Sequence, residues 1–382
     1  MTSKTVLITL GRLPKALELT RGLKRAGCRV IVAEPFDWHV CRLSNSVDAC
    51  YSLPAPTTDP AGYRRELLEL IERENVDLVV PVSEETLHVL DAKVDAPSHV
   101  SFYSPSRETI VSLHDKLRFS QDARDAGFDV PETWSAQDPR AKALALRTDV
   151  IVKPAHGCSG VGVRHVRAGQ SFEAEVGDIV QRFVEGRHVS TFTIAHEGDC
   201  RETVMYEATL LSGSVAVCFR RVDHLPAVTR WVQEFVAARE LSGFVSFDFI
   251  VDAEQTAWAI ECNPRMTSGV HFLRCQDVAQ AILQPAVNAP IELRKKAHFQ
   301  QFYPALTETY KKVFSTRTFL RRTRTIWSAR DVVFSWRDLK PFFLMTPASW
   351  PILRQTLFDQ VGFGEAATRD IIWTAPVEKT DT

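Results

Sequence analysis

Apolar residues come in short, closely spaced runs over the first hundred positions. KTVLITL (4–10), CRVIVAE (28–34) and VDLVVPV (76–82) are rich in Val, Ile and Leu, as strands buried on both faces are. Between them the apolar spacing becomes helical. One helix is predicted from Pro14 to about Ala26, with proline at its start, and another over YRRELLELIEREN (63–75). Strands separated by helices predict a parallel, doubly wound α/β sheet.

From about residue 108 the pattern changes. SLHDKLRFSQDARDAGFDVPETW (112–134) predicts a helix ended by Gly127, then an extended segment fixed by Pro131. Residues 149–166, 178–195 and 203–221 are β-rich, with glycines at the turns. A long helix over about 224–241 leads into GFVSFDFIVDAEQTAWAIECNPR (243–265), predicted as a hairpin turning at Asp252–Gln255. Between 292 and 340 twelve Lys/Arg face four Asp/Glu, interleaved with Phe and Trp. An amphipathic helix burying Phe314, Phe319, Leu320 and Trp327 with a wet basic face is the first expectation there. Contact with lipid, RNA or an acidic substrate is the alternative.

Composition narrows the class. A chain of 382 residues exceeds one compact core and implies two or three domains. A net charge of −1, with 45% hydrophobic and 24% charged residues, gives no global basic excess for nucleic acid. No apolar stretch reaches the roughly 18 residues of a membrane span, so the expected compartment is the cytoplasm. The eight cysteines form no CxxC pair and no short Cys/His cluster, which argues against a zinc site or disulfide framework.

Three stretches carry chemistry. In AIECNPR, Glu261, Asn263 and Arg265 alternate, so an extended strand turns them to one face. A hairpin with VSFDFIVD brings Asp248 beside them. Two carboxylates and an amide oxygen suit Mg²⁺, and Arg265 suits a transferring phosphoryl group. In VKPAHGCSGVGV, Lys153 ends an apolar strand, and Gly157, Gly160 and Gly162 let backbone amides approach phosphate. This is not a Walker loop, since no GK[ST] follows. VQRFVEG breaks at Glu185–Gly186, as a linker between lobes does. After the third apolar run, Ser83, Glu84 and Glu85 stand where open α/β sheets place ligand contacts, and equally where a helix cap belongs. The loop GRLPKA after the first run lacks the GxGxxG of a dinucleotide site.

The order DK…VKP…GxSGxGV…EGxxVS…D…ExNPR resembles the ATP-grasp superfamily, in particular its free-standing carboxylate–amine ligases, over roughly residues 1–290. The resemblance implies a pre-ATP-grasp α/β domain (1–107), an ATP-grasp domain of two α+β lobes (108–290, lid about 140–195) and a basic α/β extension (291–382). It implies that Lys116 and Lys153 hold phosphates while loop 157–162, with Gly157, Ser159, Gly160 and Gly162, closes over them. Gln181, Arg182 and Val184 read the adenine edge. His188 replaces the acid that relatives place on the ribose. Asp248, Glu261 and Asn263 ligate Mg²⁺, with Mn²⁺ as a substitute. Arg265, with Arg220 or Arg221 as the upstream cation and Arg220 the first choice, steadies the γ-phosphate. The implied reaction makes an acyl phosphate from a carboxylate or vinylogous acid, releases ADP, and passes the acyl group to an amine such as an amino acid. Rival readings are a bicarbonate-using carboxylase or carbamoyl-phosphate enzyme, and a nucleotide sensor without turnover. Small-molecule substrates and a homodimer are expected, and no nucleic acid.

Overall fold

The computed structural model describes residues 3–157, 162–213, 215–359 and 361–373. The three apolar runs become β1 (Thr5–Ile8), β2 (Arg29–Glu34) and β4 (Leu78–Val80), and two short edge strands, β3 (Ala49–Ser52) and β5 (Ser101–Phe102), complete a parallel sheet ordered β3-β2-β1-β4-β5. Helices α1 (Pro14–Arg25), α2 (Pro60–Arg73) and α3 (Thr86–Lys93) connect them. Val6 and Ile8 face Leu17 of α1, while Leu7 faces Tyr63, Leu67 and Ile71 of α2, so β1 is covered on both sides. The edge strands escaped notice in the sequence because they are short and half exposed.

The helix expected over 112–127 is two, α4 (Arg107–His114) and α5 (Lys116–Asp125). Asp115 breaks the run: extended itself, it accepts from the Leu117 and Arg118 amides at 2.8 and 3.1 Å and caps α5. Strands β6 (Thr133–Ser135), β7 (Val150–Pro154), β8 (Arg164–Val166) and β9 (Asp178–Arg182) form a small sheet ordered β6-β9-β7-β8, backed by α6 (Pro139–Arg147).

The large sheet runs β14-β13-β10-β11-β12-β15-β16. Its strands are β10 (Arg187–His196), β11 (Asp199–Ser212), β12 (Val215–Val222), β13 (Gly243–Val251), β14 (Ala257–Asn263), β15 (His298–Gln300) and β16 (Arg330–Asp331). Helix α7 (Pro226–Ala238) covers one face, setting Trp231 and Phe235 edge-to-face against Phe247. Through Phe192, Tyr206 and Phe219 the other face packs with Phe272, α1 and α8 (Cys275–Leu283) into one core. The α1–α8 contact is tight: a Cβ on Gly22 would lie 2.1 Å from the Cys275 carbonyl oxygen.

Beyond β15 come α9 (Phe302–Tyr310), α10 (Thr316–Ser328), α11 (Lys340–Phe343), α12 (Met345–Phe358) and α13 (Phe363–Ala366). The expected burial of α10 fails. Ile326 packs inward against Leu210, Val217 and Cys218, which turns Leu320 and Trp327 outward with Arg317, Arg321 and Arg324; Phe314 is fully exposed and Phe319 half-buried. The chain then returns over the N-terminal sheet, pairing Arg21 with Asp338 at 2.9 Å and Arg12 with Asp370 at 2.7 Å. Among the described residues no helix is long and apolar enough to cross a membrane.

Candidate active site

Strand register assembles the site. Glu261 pairs with Asp248, Asp248 with Ser190, Ser190 with Tyr206 and Tyr206 with Arg221, so one row crosses five strands on one face. Alternation sends Phe247, Phe249 and Cys262 into the α7 core instead. Asn263 Nδ2 donates to Asp248 Oδ2 and to Glu261 Oε1, each at 3.2 Å. The Ser190 hydroxyl donates to Asp248 Oδ1, and His188 Nε2 lies 4.0 Å from the same oxygen. Burial and the adjacent Glu261 charge push Asp248 up to about 6. Burial would also raise Glu261, but the Lys116 and Lys153 ammoniums outweigh it and hold it low, at about 2.

Two ammoniums face this row. Lys153 is buried on β7 and donates to Gln181 Oε1 at 2.9 Å and to the Ile260 carbonyl at 3.3 Å; burial lowers it to about 8. Lys116, first residue of α5, donates to the Gly157 carbonyl at 2.7 Å and stands 3.8 Å from Glu261 Oε2. Gly157 and Gly162 both have positive φ, +145° and +77°. Ser159 and Gly160 lie outside the described residues.

Arg265 closes the row from beyond β14. Its Nη2 donates to Asn263 Oδ1 at 2.9 Å and to Glu84 Oε1 at 2.7 Å. Glu84 is buried, yet Arg265 holds its carboxyl below the ordinary range against that burial. The ambiguity at the end of β4 is thereby resolved residue by residue. Glu84 faces the site, whereas Glu85 accepts from Thr9 Oγ1, Val82 N and Ser83 N and shapes the loop. A cleft lined by Ser83, Leu87, Ile110, His114 and Trp373 opens beside Glu84 and Arg265.

Other expected residues are placed differently. Arg220 sits one position from Arg221 and therefore on the opposite sheet face, where its guanidinium bonds Glu207 at 2.5 Å; Arg221, not Arg220, extends the carboxylate row. Gln181 has both ends of its amide engaged, its Nε2 donating to Thr133 Oγ1 at 3.0 Å. The Arg182 amide donates to the Glu132 carbonyl at 2.8 Å and its guanidinium lies 4.6 Å over the Trp258 ring. Val184 is half-buried in the linker between the sheets. Gly186 cannot be replaced there without movement, since a Cβ would fall 2.3 Å from the Val251 carbonyl oxygen.

The donor set fits a hard divalent cation: Asp248 and Glu261 present converging carboxylates, and the Asn263 amide bridges them. Turning that amide over offers its oxygen in place of its N–H₂. Sequence reasoning missed Ser190, His114 and Trp373. Ser190 was findable, two positions past His188 on the same strand face. Trp373 carries no local signal.

A family model described as an ATP-grasp domain matches residues 113–269. Solved structures share the fold at low identity. The N5-carboxyaminoimidazole synthetase of Staphylococcus aureus superposes with a TM-score of 0.62 at 15% identity, over 83% of this chain and 86% of that one. A biotin carboxylase of Campylobacter jejuni gives 0.60 at 18%, over 77% and 74%. The L-amino acid ligase of Bacillus licheniformis gives 0.58 at 16%, over 74% of each. No protein of curated function matches.

Proposed function

We propose, on the premise that this chain carries an ATP-grasp domain, that it is an ATP-dependent ligase joining a carboxylic acid to an amine through an acyl phosphate. The carrying observation is the row of Asp248, Glu261 and Asn263 facing Lys116 and Lys153, with Arg265 at its end. A substrate carboxylate oxygen attacks the γ-phosphorus, the bond to the β-phosphate oxygen breaks, and ADP leaves. The amine nitrogen then attacks the acyl carbon and displaces phosphate. As in phosphoryl transfer generally, the protein's part is positioning and charge neutralisation.

Mg²⁺, or Mn²⁺ in its place, would be held by Asp248, Glu261 and Asn263 and neutralise phosphate oxygens when bound. Lys116 and Lys153 contact phosphates directly. Gln181 is a positioning residue, since its carbonyl fixes Lys153; the backbone around Arg182 and Val184 borders the adenine edge, and His188 meets the ribose. Gly157 and Gly162 border the phosphates. Arg265, oriented by Glu84, neutralises the transferring group. The assembly is expected to be a homodimer.

Hydroxylamine trapping with Mg-ATP over a panel of carboxylic acids, bicarbonate included, tests this. Hydroxamate with ADP from the wild type and none from Glu261→Gln supports it. AMP release overturns the acyl-phosphate mechanism, turnover with bicarbonate alone moves the assignment to a carboxylase, and ATP binding without turnover points to a sensor.

A further inference from the structure

The ligand end of the parallel sheet is where β1 and β4 end, in the loops that carry Arg12 and Glu84. Helix α1 carries the chain away from it over 12 residues, about 18 Å, to Arg25. At that far end Arg25, Arg274, Arg294, Lys295, Lys296 and Arg330 line one cavity of about 460 Å³. They come from four separate parts of the chain: the end of α1, the start of α8, the segment before β15, and β16. The only acid in the lining is Glu292, which accepts from Arg274 at 2.5 Å.

Two of the cations are tied to the frame. Arg294 donates to the Leu273 carbonyl at 2.8 Å and pairs with buried Glu18, and Arg25 Nη1 lies 3.1 Å from Cys275 Sγ. Among the described residues the side chains of Lys295, Lys296 and Arg330 make no hydrogen bond or ion pair, and the Lys296 charge acts only on His298, another cation when protonated. The floor is rigid, because α1 and α8 meet at Gly22 with no room for a Cβ. Six cations and one carboxylate line this concave wall; Glu18 and Asp277, outside the lining, offset Arg294 and Arg274, and the remaining positive charge focuses potential outward.

We propose that this cavity binds a small polyanion carrying two or more phosphate groups, at a site distinct from the ATP cleft. Its volume lies within the roughly 300–1,000 Å³ of small-ligand sites, and its concavity suits a compact ligand better than a lipid surface. Four arginines favour phosphate, whose oxygens accept their paired N–H donors.

The test is calorimetry of the full-length protein with inorganic tripolyphosphate at low salt, with EDTA present. One equivalent binds the wild type and also Lys153→Gln, which impairs the ATP cleft; the Lys295→Gln/Lys296→Gln/Arg330→Gln variant binds at least tenfold more weakly while its Mg-ATP affinity is unchanged. Undiminished binding by that triple variant overturns the proposal, as does loss of all binding in Lys153→Gln. Equal affinity for citrate overturns the assignment to phosphate, and a single-stranded oligonucleotide binding where tripolyphosphate does not would make the surface one for nucleic acid.

Discussion

Replacing Arg12 by Met should cost the N-terminal sheet about 3 kcal/mol, near the low end of what breaking a buried ion pair costs. The Arg12 side chain is wholly buried between Glu34, also wholly buried, and Asp370. Its Nε and Nη2 donate to Glu34 Oε1 at 2.7 and 2.5 Å, its Nη1 and Nη2 to the Asp370 oxygens at 2.7 and 2.8 Å, and Phe36 lies 3.4 Å from the guanidinium carbon. Methionine fills much of the volume but strands a buried carboxylate. The low end applies because Glu34 keeps three backbone donors, from Gly11, residue 12 and Phe36, at 2.8, 2.9 and 3.1 Å. With a urea slope of about 3 kcal/mol per molar, the transition that includes this sheet should fall by about 1 M, read by tryptophan fluorescence. Arg12→Met/Glu34→Gln should recover at least half the loss, because the wholly buried charge is gone and the carboxylate that remains, Asp370, is partly exposed to water. Arg12 holds the Glu34 pKa below its ordinary value despite burial. The stability it contributes is therefore present above the unfolded carboxyl pKa of about 4.3 and is lost as pH falls through the folded value, so wild type and variant should converge in acid and differ fully at pH 7. A loss under about 1 kcal/mol at pH 7, the worth of a surface pair, would refute the reasoning, as would a double variant less stable than the single.

The site supports further predictions. Glu261→Gln should abolish ADP release while leaving the far-ultraviolet circular dichroism unchanged. Arg265→Met should lose about 10²–10³ in kcat, as removal of one charge-stabilising donor does, whereas Arg220→Met, on the opposite sheet face, should stay within about threefold. Because burial lowers Lys153 to about 8, Mg-ATP affinity of the wild type should weaken as pH rises through that value; Lys153→Met should bind weakly with the slope gone, both by titration calorimetry. Gly186→Ala should lower the melting temperature by several degrees, since its Cβ meets the Val251 carbonyl and the linker must shift.

Much of this was legible because local rules carry it. Apolar runs gave β1, β2 and β4, and Pro14 marked the start of α1. Alternation turned Asp248, Glu261 and Asn263 to one face, and the hairpin between them fixed their pairing. What escaped depends on register between distant strands or on contacts across hundreds of residues. Arg220 and Arg221 are neighbours in sequence, and only pairing with Glu207 and Tyr206 tells which one shares the sheet face of the carboxylates; the Arg221 guanidinium itself bonds Asp223 and the Arg294 carbonyl. Asp115 breaks a helix that periodicity alone runs through. Glu84 could not be told from a cap without Arg265 opposite it. In α10, one buried isoleucine decided which stripe turned inward, and the aromatic residues lost.

The clasp on Arg12 also has a consequence for how the chain matures as it is made. Asp370 follows Arg12 by 358 positions, and Asp338 follows Arg21 by 317. A ribosome adding about 5–20 residues per second needs roughly 20–70 s to cover the longer gap. Through that interval the N-terminal sheet has Glu34 as Arg12's only carboxylate, so it waits half-finished for the segment that carries Asp370. A ribosome that stalls within that gap would leave the sheet without its clasp.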